Sequence, residues 1–198
     1  MTLNNQNLKI ALQKSGRLAE KSLEILQQIG MDFDRSKDQL FAKCRNFDLD
    51  ILFLRDDDIP EYVQDSVCDL GIVGENIIQE QQAKVSVIEK LAFGRCRLSI
   101  AVPEGSPIKS EKELSGKRIA TSYSSSLNAF LKEKKMTAEV IPLRGSVEIA
   151  PSLNLCDAIC DLVSTGNTLK QSGLKEIETL FQSEAVLIRG IAGVDAKK

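Results

Sequence analysis

Short apolar runs rich in Ile, Val and Leu recur along this chain: LKIAL (8–12), LDILFLR (49–55), DLGIVG (69–74), RLSIAVP (97–103), KRIATSY (117–123), AEVIPLR (138–144), DAICDLV (157–163) and EAVLIR (184–189). Most are near-continuous rather than alternating, the pattern of strands buried on both faces. Helical patterns lie between them. LAEKSLEILQQIG ends on Gly30, DIPEYVQDSV carries Pro60 in its first turn, and SSLNAFLKEKK has a serine cap and a basic last turn. Strand alternating with helix restricts the chain to an α/β architecture with mostly parallel sheets. Lobe boundaries are expected at Leu91 to Arg97 and at Gly173 to Glu178. A chain that leaves one lobe, builds a second and returns would place a cleft between them.

Composition narrows the chemistry. The 198 residues suffice for one core or two small ones, and the net charge of −2 is mixed along the chain, leaving no basic stripe for a nucleic-acid backbone. MTLNNQNLKIAL has no basic region followed by a long apolar stretch, and no apolar run approaches about 20 residues. A cytoplasmic protein without membrane contact is the expectation. Cys44, Cys68, Cys96, Cys156 and Cys160 are odd in number and lack CxxC pairing, so reduced, buried thiols are expected rather than a disulfide framework or a zinc site. Histidine is absent altogether. That removes Ser-His-Asp and Cys-His catalysis and imidazole metal sites. Any chemistry must rest on carboxylates, Lys, Arg, backbone amides and an oxygen-ligated cation.

Ligands in open parallel sheets bind beyond the carboxyl ends of strands, which directs attention to three turns. In QKSGRL (13–18), Lys14 and Arg17 bracket Gly16 where a helix begins, which suits an anion or a solvated basic turn equally. In LRDDDIP (54–60), Arg55 leaves a strand end ahead of Asp56, Asp57 and Asp58; it is either a cation facing a ligand or half of a structural ion pair. After DAICDLV, the residues Ser164, Thr165, Gly166, Asn167 and Thr168 offer backbone N–H groups and hydroxyls at a helix start, with Asp161 upstream. The lysine of a nucleoside-triphosphate P-loop is missing, so a monophosphate cradle or an ordinary corner remains.

With these turns in view, the chain resembles the catalytic core of the ATP phosphoribosyltransferase family from about Leu8 to Arg189. The likeness is carried, in order, by IALQKSGRL, LRDDDIPEYV, DLGIVGEN, CRLSIAVP, KRIATSY, GSVEIAPSLNLCDAICDLVSTGNTL, GLKEIE and SEAVLI. It implies a two-lobed periplasmic-binding-protein-like (type II) α/β fold with an active-site cleft between lobes. The first lobe would comprise residues 1–92 plus 178–198, and the second 93–177 with the phosphoribosyl pyrophosphate loop. The implied reaction opens histidine biosynthesis: N1 of the adenine of ATP joins the anomeric carbon of phosphoribosyl pyrophosphate, releasing pyrophosphate with magnesium (Mg2+) present.

By the same resemblance, Arg17 and Arg55 match arginines that stabilise the pyrophosphate or the ATP phosphates, with Lys14 and Gly16 in the same turn. Ser164 to Thr168 match the seat of the ribose 5-phosphate. Glu148 and Asp161 are candidates for the ribose hydroxyls, directly or through water and magnesium, and Leu12 and Tyr123 for the neighbourhood of the adenine. After KRIATSY the helix begins SSSLNAF, without the proline many relatives carry there. The long form of the family adds a small regulatory domain that binds histidine, whereas the short form works with a separate regulatory subunit. QKSGRL and LRDDDIP read like the long form, while the chain stops at GIAGVDAKK. A homo-oligomer of two or more chains is expected, alone or with a regulatory subunit. The competing reading is a non-catalytic small-molecule sensor or binding module on the same fold, because DLGIVG is a strand such domains also carry.

Overall fold

A computed structural model describes residues 7–36 and 38–191; MTLNNQ at the start, Lys37 and the closing residues 192–198, which hold most of GIAGVDAKK, lie outside the described residues. In chain order the elements are β1 (Leu8–Gln13), α1 (Arg17–Gln28), β2 (Phe41–Lys43), β3 (Leu49–Leu54), α2 (Ile59–Gln64), β4 (Leu70–Gly74), α3 (Glu75–Gln81), β5 (Val85–Lys90), β6 (Cys96–Pro103), β7 (Arg118–Thr121), α4 (Ser124–Glu133), β8 (Glu139–Pro142), β9 (Ala158–Val163), α5 (Asn167–Gln171), β10 (Leu174–Ser183) and β11 (Ala185–Gly190). They fall into two compact units, Met1–Gly94 with Glu184–Lys198, and Arg95–Ser183. The return comes at Glu184 rather than at 178 because β10 stays paired with β6 as far as Ser183 opposite Cys96.

The first unit holds a six-stranded sheet ordered β2-β3-β1-β4-β11-β5. Its centre is parallel: β1 pairs with both β3 and β4 in that sense. Antiparallel strands complete it on either side. The near-continuous apolar reading of β1 has a direct cause. Ile10 and Leu12 pack on one face with Leu26 of α1, Phe33 and Phe53, while Ala11 packs on the other with Ile59 and Val63 of α2. Gly71 in DLGIVG is required by that second face. A Cβ there would come 2.8 Å from Ile59 Cγ2 and 3.0 Å from Val63 Cγ2, so only glycine lets α2 settle onto β4.

The second unit holds a five-stranded sheet ordered β10-β6-β9-β7-β8. The pairs β7 with β8 and β7 with β9 are parallel, and β6 runs antiparallel to both β9 and β10. One face buries Leu98, Ile100, Ile119 and Cys160 against Leu127, Phe130 and Leu131 of α4. The other buries Ala101, Ala120, Ile159 and Val163 with Val147, Leu169 and Leu174.

All eight apolar runs contain strands, and three further strands, β2, β5 and β10, were not expected. Parallel pairing is thus confined to the centre of the first sheet and to the β9-β7-β8 side of the second. The expected helix ends differ in detail. α1 closes through Gly30 at φ 91°, with Gly30 N–H donating to the Gln27 carbonyl and Met31 N–H to the Leu26 carbonyl. At α4 the cap position is Tyr123 rather than a serine, and no side chain caps it. The cysteines are free; Cys68, Cys156 and Cys160 are buried, and burial pushes the Cys68 thiol up to about 11. No helix among the described residues is long and apolar enough to cross a membrane.

Candidate functional site

In the first unit two of the three turns lie side by side. Gln13 at the end of β1 is opposite Leu54 at the end of the parallel β3, and Lys14 N–H donates to the Leu54 carbonyl at 2.7 Å. QKSGRL and LRDDDIP therefore leave the carboxyl edge of neighbouring strands. Gly16 caps α1 at φ 93° without a side-chain acceptor, so the first-turn N–H groups are left unfilled by any capping oxygen. Lys14, Arg17 and Arg55 are exposed, and their side chains make no hydrogen bond or ion pair among the described residues. Arg55 forms no close ion pair among the described residues, although its charge is felt by the neighbouring Asp57. Burial, then Asp56 and Asp58, pushes the Asp57 carboxyl up, and Arg55 pulls it back. The aspartates form a short 3-10 turn, Asp56–Asp58, with no side-chain cap. They occupy the first turn at this helix start, where the helix dipole favours carboxylates.

Two observations revise the reading of this turn. Leu12, expected beside the adenine, is wholly buried and its side chain belongs to the core with Leu26 and Phe53. A β1 side chain at this position points into the layer under α1, not toward solvent. Arg35 was not singled out from the sequence, yet its Nη2 donates to the Lys14 carbonyl and its guanidinium lies 3.9 Å from the centre of the Phe53 ring. Its Nε finds no partner among the described residues, and burial lowers its affinity for the proton. No sequence periodicity connects Arg35 to Lys14, because the link runs through an irregular segment.

In the second unit the loop Ser164–Gly166 follows β9 and opens α5. Gly166 occupies the cap position at φ 80°. The backbone N–H groups of Thr165, Gly166 and Thr168 make no hydrogen bond among the described residues, and Asn167 N–H makes only a long 3.4 Å contact with Thr165 Oγ1. With five residues, α5 is too short for a strong macrodipole. The anion-binding capacity rests on these local donors together with the exposed hydroxyls of Ser164, Thr165 and Thr168.

Asp161 lies on β9 opposite Ser99, and Val163 lies opposite Arg97. Directly opposed residues of antiparallel strands share a face, so all four project to the side occupied by Val147 and Leu169. Asp161 Oδ1 accepts from Leu162 N–H at 2.8 Å. Burial pushes this carboxyl up, the Leu162 N–H pulls it down, and the negative charge of Glu148, in the 3-10 turn Val147–Ile149, raises it again. Asp161 and Glu148 are thus brought together. No cluster of three or more His, Cys, Asp or Glu suited to a metal exists among the described residues. Two carboxylates are nonetheless a fitting complement for magnesium, which keeps waters and takes its other ligands from substrate phosphates.

Tyr123 follows β7, the parallel neighbour of β9, and is half-buried against the Leu127 and Phe130 side of the core. Its N–H donates to Thr121 Oγ1 at 2.8 Å, and Ser122 Oγ donates to the Leu143 carbonyl while accepting from Gly145 N–H. The turns after β7, β8 and β9 therefore line one edge of the sheet. Arg97 and Glu176, not among the residues expected from sequence, form an ion pair beside the loop across 79 residues of chain. An arginine entering an apolar strand was the available signal, but its partner was not identifiable without the β6–β10 register.

A family model for ATP phosphoribosyltransferase (HisG) matches residues 55–198. An ATP phosphoribosyltransferase of Cytophaga hutchinsonii is 48% identical over 180 residues, which cover 91% of this chain and 63% of that relative; the chain thus spans less than two-thirds of the relative's length. Among solved structures, the ATP phosphoribosyl transferase (HisG:HisZ) complex from Thermotoga maritima aligns with TM-score 0.80 and 29% identity, over 92% of this chain and 87% of the matched one. The periplasmic aliphatic sulphonate binding protein SsuA from Escherichia coli aligns with TM-score 0.60 and 18% identity over 94% and 66% respectively. That likeness is one of fold alone: α/β of the periplasmic-binding-protein type.

Proposed function

The chain belongs to the ATP phosphoribosyltransferase family, and from that premise we propose that it transfers the phosphoribosyl group of phosphoribosyl pyrophosphate to N1 of the adenine of ATP, the first step of histidine biosynthesis. The observation that carries this reading is the set of exposed cations, Lys14, Arg17 and Arg55, whose side chains make no hydrogen bond or close ion pair among the described residues at two adjoining strand ends. A bond forms between adenine N1 and the anomeric carbon as the bond to the pyrophosphate oxygen breaks, and the electron pair departs with pyrophosphate. Adenine N1 is itself the nucleophile, so the absence of histidine is no obstacle.

Each group then has a role set by where charge develops. Arg17 and Arg55 offset negative charge growing on the leaving pyrophosphate, the class of interaction that strengthens in the transition state. The N–H groups of Thr165, Gly166 and Thr168 seat the 5-phosphate, with Ser164 and Asn167 completing the loop. Asp161 and Glu148 accept hydrogen bonds from ribose hydroxyls and would hold magnesium through water or substrate, where the ion neutralises phosphate charge. Tyr123 flanks the adenine.

This reading is tested by mixing the purified chain with ATP, magnesium and phosphoribosyl pyrophosphate while pyrophosphate is removed. Phosphoribosyl-ATP should accumulate. Calorimetry that found neither ATP nor phosphoribosyl pyrophosphate bound would favour a sensor on the same fold. A cytoplasmic oligomer, of this chain alone or with a regulatory subunit, completes the proposal. The solved Thermotoga maritima relative was itself captured as a complex, and light scattering of this chain alone and after adding such a subunit would decide between the two.

A further inference from the structure

We propose that Arg97, anchored by Glu176, is a positioning residue that turns the Ser164–Thr165 peptide so that the Thr165 N–H is presented to the phosphate; this rests on the reading of the loop as a phosphate seat. The geometry is specific. Arg97 Nε donates to Glu176 Oε2 at 2.7 Å and Nη2 donates to Glu176 Oε1, a two-point pairing of fork with carboxylate. The remaining arm is not idle: Nη1 donates to the Ser164 carbonyl at 3.3 Å. Glu176 is held in turn by Ser99, which also meets Thr179 Oγ1 at 3.2 Å. The pair also reaches the far side of the loop. A Cβ placed on Gly166 would lie 3.9 Å from Glu176 Oε1.

The peptide unit transmits this contact. A trans amide is planar, and its C=O and N–H point in opposite directions. With the Ser164 carbonyl held toward the Arg97 guanidinium, the Thr165 N–H must face away from it. That N–H makes no hydrogen bond among the described residues. Without the guanidinium, the same peptide could rotate and present its carbonyl to the anion, converting an attractive dipole into a repulsive one.

Arg97 is not here an attracting charge for the ligand. The pairing raises the proton affinity of Arg97 and lowers that of Glu176, as expected when each charge is matched by the other. Lysine keeps the charge but cannot serve the carboxylate and the carbonyl through one planar fork. Two substitutions, one leaving the charge unchanged and one removing a negative charge, therefore have the same predicted effect. Arg97→Lys and Glu176→Gln should each weaken phosphoribosyl pyrophosphate binding about tenfold, the scale of one charge-assisted hydrogen bond, while ATP affinity is unchanged.

The test measures both dissociation constants by calorimetry for wild type and the two variants, with a thermal midpoint for each. Weakened donor binding in both, with ATP unaffected, supports the proposal. Tighter donor binding in Glu176→Gln with no change in Arg97→Lys would show a simple charge effect and overturn it, as would unchanged donor affinity in both. A wild-type chain that bound no donor would overturn the functional reading and this inference together, a result distinct from the others. Should a variant not fold, the wild type alone decides by NMR. On adding donor, the Thr165 amide proton should shift downfield and the Arg97 Nε proton should stay in place; a static Thr165 signal, or a shift at Arg97 in its stead, overturns the assignment.

Discussion

Replacing Arg55 by alanine should separate the catalytic role proposed for it from any role in folding. Its side chain is exposed and makes no hydrogen bond or ion pair among the described residues. Its backbone, at φ −71° and ψ 146°, is a conformation alanine adopts without strain. Loss of the side chain should therefore alter stability by no more than about 0.5 kcal/mol, a midpoint shift of about 1–2 °C in a chain of this size. The Asp57 carboxyl, already pushed up by burial and its neighbours, would rise a little further without Arg55 to pull it down. Turnover should respond very differently. Losing a cation with the role proposed for Arg55 is comparable to losing an oxyanion-hole donor, about 100- to 1000-fold in kcat, or about 2.7–4 kcal/mol. The assay is steady-state formation of phosphoribosyl-ATP with pyrophosphate removed, normalised to folded protein, beside a thermal melt. Arg55→Lys, which retains the charge without the fork, should fall between the two. A melt lowered by many degrees with normal turnover per folded molecule would refute the reasoning and make Arg55 a structural residue.

Gly166→Ala places a side chain at φ 80° with only ordinary contacts near its Cβ, so the strain is about 1 kcal/mol and donor affinity should fall about tenfold, or ~1.4 kcal/mol. Gly173→Ala, at φ 65° with nothing near its Cβ, should lower the melt similarly and leave donor affinity unchanged; equal losses of affinity in calorimetry would remove the loop assignment. Gly71→Ala should destabilise by about 1–3 kcal/mol, because its Cβ would meet Ile59 and Val63 at 2.8 and 3.0 Å; an unshifted denaturation midpoint would contradict the close packing of α2 on β4. The Asp161 carboxyl is raised above its usual value by burial and Glu148, so the folded state holds this proton more tightly than the unfolded chain does. Its contribution to stability is complete below the unfolded pKa and is lost as pH rises through the folded one. Asp161→Asn should accordingly stabilise the free protein at neutral pH and abolish the acid limb of donor affinity, checked by melts and calorimetry across pH; a variant less stable at neutral pH would reverse the sign.

What was legible in the sequence tracks burial. LKIAL, LDILFLR and DAICDLV announced themselves because β1, β3 and β9 are covered on both faces, which forces apolar residues at successive positions. β5 escaped notice because it is an edge strand, with Val87 and Ile88 about half exposed and its last residues charged. β10 escaped because LKEIETLFQS mixes charges with apolar residues, and its register with β6 slips twice, between Glu176 and Glu178 and between Thr179 and Phe181. A slipped register breaks the two-residue alternation by which a half-buried strand is recognised. Since β10 also carries the chain to its return at Ser183, the same irregularity hid the boundary of the second unit.

The candidate site divides along a different line. The proposed site groups Lys14, Arg17, Arg55 and the Ser164–Thr168 loop could be nominated from sequence because strand-end position and residue type suffice for that. Leu12 was expected beside the adenine from the family resemblance, whereas the alternation along β1 sends its side chain under α1. Groups that act through a partner could not be found this way. Arg97 and Glu176 are 79 residues apart, and neither gains meaning until β6 brings Arg97 opposite Val163 at the root of the loop. On the proposed reading the loop sequence accounts for where a phosphate is received, whereas the orientation of its first N–H follows from the Arg97 contact with the Ser164 carbonyl. A loop transplanted without that pair would retain its glycine and hydroxyls but lose the restraint on its Ser164–Thr165 peptide, and its donors would no longer be held in one direction before the anion arrives.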